Sequence, residues 1–385
     1  MKRMKQAKFL FYIGVFGLVL FEIANVYFIM PMPGSQEMKN IDAAYFFYKW
    51  RWFFRIIFLI LLAFGFFSAM WKRKWIPLIF ISMAALISYI FNFQMSADHM
   101  FYEPSKLIMV DAGKNKVDSQ RLVIGVVVNE EAKAYPIQFL GYHHKVIDTI
   151  GGKAAMITYC TVCRTGRVFE PIVNGHNEKF RLVGMDLFNA MFEDKSTRSW
   201  WRQATGEAVA GKLKGATLPE IYSTQTTLET WLGLHPNSKI MQADPSFKTS
   251  YDTLFNYEKG LSRKKLTGTD SLSWQKKSWV VGVKTGGQTK AYDWNQLKKE
   301  TLIEDTLAGK EIFIFLAADS SSFFAFEKSG FKGSVKVEKD TIILGEKRFR
   351  LDGKGIDTSI SLQKVSAYQE FWHSWKSFNA GTDRY

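Results

Sequence analysis

Three long apolar runs fill most of the first quarter of this chain, at residues 9–30, 52–70 and 75–95. A helix rising ~1.5 Å per residue needs about 20 residues to cross a hydrocarbon core of ~30 Å. In lipid every backbone polar group must be satisfied inside its own segment, so each run is expected to be a membrane-spanning helix. Three such runs in so short a stretch disfavour buried globular helices. A cleavable signal peptide is also disfavoured, because the first run is too long for its apolar region and further spans follow. The lipid bilayer is therefore the first expected partner.

Basic residues near the spans set the expected orientation. Lys2, Arg3, Lys5 and Lys8 precede the first run, and Lys72, Arg73 and Lys74 fill the link between the second and third. The 31–51 loop holds Lys39, Lys49 and Arg51, offset by Glu37 and Asp42. The heavier basic side is expected to face the cytoplasm. Residues 96–385 then lie on the extracytoplasmic side of an inner or plasma membrane, and the chain is multi-pass. Arg55 is expected to snorkel toward the outer surface, while Glu22 and Asn25 place polar groups inside the first span. The formal charge of +15 comes from scattered residues. With no nucleic-acid motif present, it is read as a solvated surface near anionic lipid rather than a nucleic-acid face.

After the spans the pattern becomes globular and repeats itself. Residues 123–170 align without a gap on 280–327, with 14 of 48 positions identical, where chance would give about three. Lys133-Ala134-Tyr135 matches Lys290-Ala291-Tyr292, Asp148-Thr149 matches Asp305-Thr306, and Phe169-Glu170 matches Phe326-Glu327. Phe180-Arg181-Leu182 resembles Phe349-Arg350-Leu351, and the Trp231 and Trp375 regions look related. Short β-branched runs punctuated by Gly turns predict a β-rich α+β domain built as two tandem homologous repeats. The expected organisation is a three-helix transmembrane region at 1–95 and a membrane-proximal segment at 96–120. Repeat one follows at 121–242, a linker at 243–275 and a degenerate repeat two at 276–385.

The alignment also acts as an internal control. Cys160, Cys163, His143 and His144 face Ala317, Ser320, Glu300 and Thr301. A second copy that folds without those four residues argues that they serve something other than folding. The chain's two cysteines stand three apart, in Cys160-Thr161-Val162-Cys163. An exported domain stapled by disulfides would hold more, at longer separations. The pair follows one strand and leads into another, which resembles a metal knuckle more than the helix-opening motif of a thioredoxin-like site. Arg164 stands where haem attachment needs His, so haem is not expected, nor is a nucleotide. With His143, His144, Met185 and Met191 as the nearest further ligands, the set favours a soft metal, copper by its chemistry.

These residues carry a resemblance. His143, Asp148-Thr149-Ile150-Gly151-Gly152, Tyr159-Cys160, Cys163, Gly166, Asn189, Met191, Ser199-Trp200 and Gln203 look like the signature of the domain-of-unknown-function 3179 family, over about residues 100–385. Its members often read Cys-Pro-Leu-Cys or Cys-Pro-Leu-Thr at this turn. The resemblance thus implies a principal role for Cys160, as ligand or nucleophile, and an auxiliary one for Cys163. It implies no activity. The residues themselves predict a membrane-anchored thiolate metal site for envelope metal handling or electron transfer, with an envelope protein or metal donor as partner. A thiol–disulfide oxidoreductase using Cys160 and Cys163, and an interaction scaffold, are the alternatives.

Overall fold

The computed structural model describes residues 2–328, 330–331 and 333–385. A β-rich mixture of helix and sheet follows three apolar helices, and the chain divides into two compact units.

The first unit comprises Met1–Tyr102, Phe180–Arg202 and Glu207–Ala216. Its apolar runs form the helices Lys2–Tyr27, Arg51–Ser68 and Trp75–Tyr89, the last continued by a π-helical turn at Ile90–Gln94. All three helices are long and apolar enough to cross a membrane. The first two touch backbone to backbone. A Cβ on Gly14 would lie 2.4 Å from the Leu62 nitrogen, and one on Gly65 2.3 Å from the Phe11 nitrogen. Small residues let helices pack this closely in lipid, where no hydrophobic force drives them together.

Arg55 pairs with a neighbouring helix. It donates to both carboxylate oxygens of Glu22, at 2.7 and 2.8 Å, and to Asn92 at 2.6 Å. A charge among apolar helices is held by an opposite charge on a neighbour when one is in reach, and Glu22 supplies it. The 31–51 segment, read as a loop, contains the helix Ile41–Lys49. Its Tyr48 hydroxyl donates to Glu193 Oε1 at 2.8 Å. Glu193 lies in an antiparallel meander of Phe180–Asp186, Asn189–Asp194, Trp200–Arg202 and Ala208–Ala210. The indoles of Trp200 and Trp201 donate to Glu193 and Asp194, and Arg202 pairs with Asp186.

The second unit comprises Glu103–Lys179, Gln203–Gly206 and Thr217–Tyr385. It opens with the hairpin Leu122–Val128 and Glu131–Pro136, whose turn residues Asn129 and Glu130 have φ of 46° and 68°. Such a turn matches the right-handed twist of its strands. The helix Ile137–His143 follows, and then the meander Lys145–Ile150, Lys153–Cys160 and Thr165–Phe169. Ser223–Thr227 pairs antiparallel with Leu122–Val128, and Lys239–Met241 pairs parallel with Glu131–Pro136.

The same element order recurs later. Trp279–Thr285 and Gln288–Asp293 form a hairpin, Trp294–Glu300 a helix, and Leu302–Leu307, Lys310–Leu316 and Phe323–Glu327 a meander. Ser366–Phe371 pairs antiparallel with Trp279–Thr285, and Asp383–Arg384 parallel with Gln288–Asp293. In both halves a Tyr hydroxyl and a Lys meet one Asp: Tyr135 and Lys133 at Asp148, Tyr292 and Lys290 at Asp305. The polar 243–275 stretch adds Tyr251 and Tyr257 to the core beneath the first meander.

Candidate site at the Cys160–Cys163 turn

Cys160 ends the strand Lys153–Cys160 and lies opposite Thr165, the first residue of the next strand. The four residues between them close the turn, and Arg164 takes a left-handed φ of 57°. That conformation directs the Arg164 side chain into the interior. Its guanidinium lies 3.6 Å from the Trp279 ring centroid and donates to Gln369 Oε1 at 2.8 Å and to the Glu258 carbonyl at 3.0 Å. A buried cation is tolerated when stacked and hydrogen-bonded this fully.

The turn's carbonyls are taken up by side chains and backbone far away in sequence. Tyr257 donates to the Thr161 oxygen at 3.0 Å, Lys277 Nζ to the Val162 oxygen at 2.6 Å, and the Phe371 N–H to the Cys163 oxygen at 2.9 Å. His373 Nε2 sits 3.2 Å from the Val162 oxygen and 3.3 Å from Lys277 Nζ. Ser374 Oγ lies 3.3 Å from Thr165 Oγ1 and donates to Glu370 at 2.8 Å.

Both cysteines are fully buried, and no disulfide joins them. Burial pushes the Cys163 thiol well above its ordinary pKa, and the hydrogen bond and charge of Cys160 push it further. Ser374 and Lys277 act in the opposite direction. Burial lowers the Lys277 ammonium, against the pull of the two sulfurs. Burial, then the charge of Lys277, brings His373 down to about 4, so its ring is neutral at pH 7. The environment therefore disfavours a Cys163 thiolate while placing Lys277 beside the sulfur pair. Anything that removes their protons and shares their negative charge exploits that arrangement.

Of the other expected ligands, His144 sits beside the strand that carries Cys160: its carbonyl accepts from the Tyr159 N–H at 3.0 Å. His143 ends the helix Ile137–His143, with Nε2 2.6 Å from the Tyr251 hydroxyl and its ring 5.2 Å from Phe247. His144 takes a φ of 60°, and burial lowers its pKa to about 4. Met185 and Met191 belong to the first unit, in the strands Phe180–Asp186 and Asn189–Asp194. Among the described residues, no group of three or more His, Cys, Asp or Glu is arranged to hold a metal ion. The turn itself brings two sulfurs into contact.

Lys277, His373 and Ser374 were missed from sequence, having no motif and lying more than a hundred residues downstream. The second meander shows the signal that would have found them. At its turn, Asp319 stands in the place of Val162 and accepts from Thr227 and Thr230, at the start of the helix Leu228–Leu234 in the first half. Each turn thus meets the helix of the opposite half. Asp319 also accepts from the Ser321 and Ser322 N–H groups, so that turn is self-sufficient without cysteine.

No curated protein and no solved structure matches the chain. The family model described as "Protein of unknown function (DUF3179)" matches residues 104–382, a span that includes the whole Cys turn and its partners. The chain is a member of the DUF3179 family.

Proposed function

We propose that Cys160 and Cys163 form a two-thiolate site for a soft monovalent cation, Cu(I) by its chemistry, on the extracytoplasmic face of a plasma or inner membrane. The protein would act there in envelope metal handling or electron transfer, exchanging the ion with a metal donor. The observation that carries this reading is the dry sulfur pair with Lys277 beside it. Loading replaces two thiol protons by one ion, leaving a complex of charge −1 that the Lys277 ammonium offsets. Soft thiolates select Cu(I), which accepts two ligands. Lys277 also fixes the turn through the Val162 carbonyl, so the same side chain would orient the sulfurs and balance their charge.

A duplicated architecture underlies the proposal. It is supported by the matched registers of the two halves and by matched left-handed residues, such as His144 and Thr301, both with φ of 60°. Two matched contacts add to it, Gly125 under Trp231 and Gly282 under Trp375. One copy would have kept a structural Asp319 turn and the other acquired the sulfur pair. The thiol–disulfide reading draws on the sulfur contact alone, since oxidation of two thiols to a disulfide needs no third ligand.

An anaerobic titration of the detergent-solubilised chain against a chromophoric Cu(I) chelator tests the proposal. Wild type is expected to withdraw about one Cu(I) per chain, more weakly as pH falls, since the thiols must lose protons. Cys160→Ala should withdraw none. Failure of the wild type to compete, together with reversible oxidation to an intramolecular disulfide, would transfer the site to the oxidoreductase reading.

A further inference from the structure

The first unit holds a cavity of about 310 Å³, lined by none of the residues of the cysteine turn. It lies where the three long helices meet at one end. Asn25 is near the end of Lys2–Tyr27, Arg51 begins Arg51–Ser68, and Asn92 is near the end of Ile90–Gln94. The cavity lining mixes apolar residues such as Ile29 and Phe91 with Arg51, Arg181, Arg198 and Asp98.

The charges in that lining do not cancel. Arg181 is matched by Glu193 and Asp98, at 3.0 and 3.1 Å. Arg51 donates to the Tyr48 carbonyl and lies over the Tyr48 ring, and among the described residues no carboxylate is paired with it or with Arg198. Two arginines without a paired carboxylate therefore line the cavity. A second, independent observation comes from Asn25. Its side chain is nine-tenths buried, lines the same cavity, and its amide oxygen has no hydrogen-bond partner. A buried amide oxygen without a donor costs on the order of 1–3 kcal/mol unless something fills the space beside it.

We infer that this cavity binds a phosphate-ester anion bearing a hydroxyl and an apolar chain, the chemistry of an anionic phospholipid headgroup. The two unmatched guanidinium groups take the phosphate oxygens, for which their planar donor fork is suited. The hydroxyl donates to Asn25, and the acyl chain leaves along the apolar lining residues beside the helices. A choline headgroup carries the same phosphate, but its quaternary ammonium is repelled by the two arginines and it has no hydroxyl for Asn25. A free phosphate ester would meet the polar lining residues and leave the apolar ones bare.

Native mass spectrometry of the full chain, released from nanodiscs containing equal phosphatidylglycerol and phosphatidylcholine, tests this. About one phosphatidylglycerol should be retained per chain in preference to phosphatidylcholine. The double variant Arg51→Gln/Arg198→Gln should lose that preference by about tenfold or more. Asn25→Leu fills the space with an apolar group, so it should weaken retention while leaving the melting temperature of the lipid-free protein unchanged or raised. In a second arm, glycerol 3-phosphate is expected to displace the lipid only at concentrations far above those at which the lipid binds. Equal retention of the two lipids, or retention indifferent to the arginine variants, would overturn the inference. Displacement by glycerol 3-phosphate at the lipid's own concentration would overturn the lipid source and assign the cavity to a soluble ester.

Discussion

Replacing both sulfurs separates their role from folding. The double variant Cys160→Ala/Cys163→Ser should fold, with a loss of at most about 2 kcal/mol for the small volume removed from a buried site. Wild-type melting should be insensitive to reductant, and a reductant-dependent drop would identify a structural disulfide instead. The buried histidines set a pH dependence. His144 has an ordinary pKa of 6.5 when unfolded and about 4 in the fold. Between those values the unfolded chain takes up a proton that the folded ring refuses, so stability is full above about pH 6.5 and falls as the pH drops toward 4. For a fully buried ring the loss is on the order of 3 kcal/mol. His144→Asn, which suits the left-handed φ of 60°, should remove that share of the slope in denaturant midpoints measured at pH 7, 5.5 and 4. His235 and His373, also held near 4 by burial, leave the remainder. Cys160 and Cys163 were legible as candidates because the positions aligned with them are Ala317 and Ser320. The involvement of Lys277 and His373 was not, because it depends on which distant helix meets the turn.

At the scale of elements, the strands and turns of the second unit were read closely. The short β-branched runs and turns read there become Leu122–Val128 and its neighbouring strands, followed by the helix Ile137–His143. Alternating burial and Gly turns are local signals that survive packing. The helix Ile41–Lys49 escaped notice because only Ala44 is buried along it, and its tyrosines are anchored by the Glu193 carboxylate and the Arg198 carbonyl, far off in sequence. The most exacting contact between elements is a glycine under an indole. A Cβ on Gly125 would come within 2.2 Å of Trp231, and one on Gly282 within 2.2 Å of Trp375. Gly125→Ala should displace the helix Leu228–Leu234 and destabilise by about 1–3 kcal/mol, typical of overpacking in a close-packed interior. Near-ultraviolet circular dichroism of the Trp231 environment, read with denaturant melts, checks it. An unchanged spectrum and midpoint would mean the helix adjusts freely.

For the whole molecule, the three helices were visible from apolar length alone, while the Glu22–Arg55–Asn92 cluster joining them was not, since any of the three side chains could have turned elsewhere. The orientation argument rests on Lys2, Arg3, Lys5, Lys8 and the 72–74 link against Lys39, Lys49 and Arg51. A phosphatase reporter fused after Tyr385 should be active and one fused at Lys72 inactive, and the reverse pattern would place the DUF3179 domain in the cytoplasm. The central claim, that this domain presents a two-sulfur site for a soft cation, is met most directly by copper K-edge absorption on the anaerobically loaded full chain. The expected spectrum is that of Cu(I) with two sulfur neighbours and no nitrogen shell, abolished in Cys160→Ala and unchanged in His143→Glu, because His143 is engaged by Tyr251. Copper bound without sulfur scattering, or retained by Cys160→Ala, would contradict it.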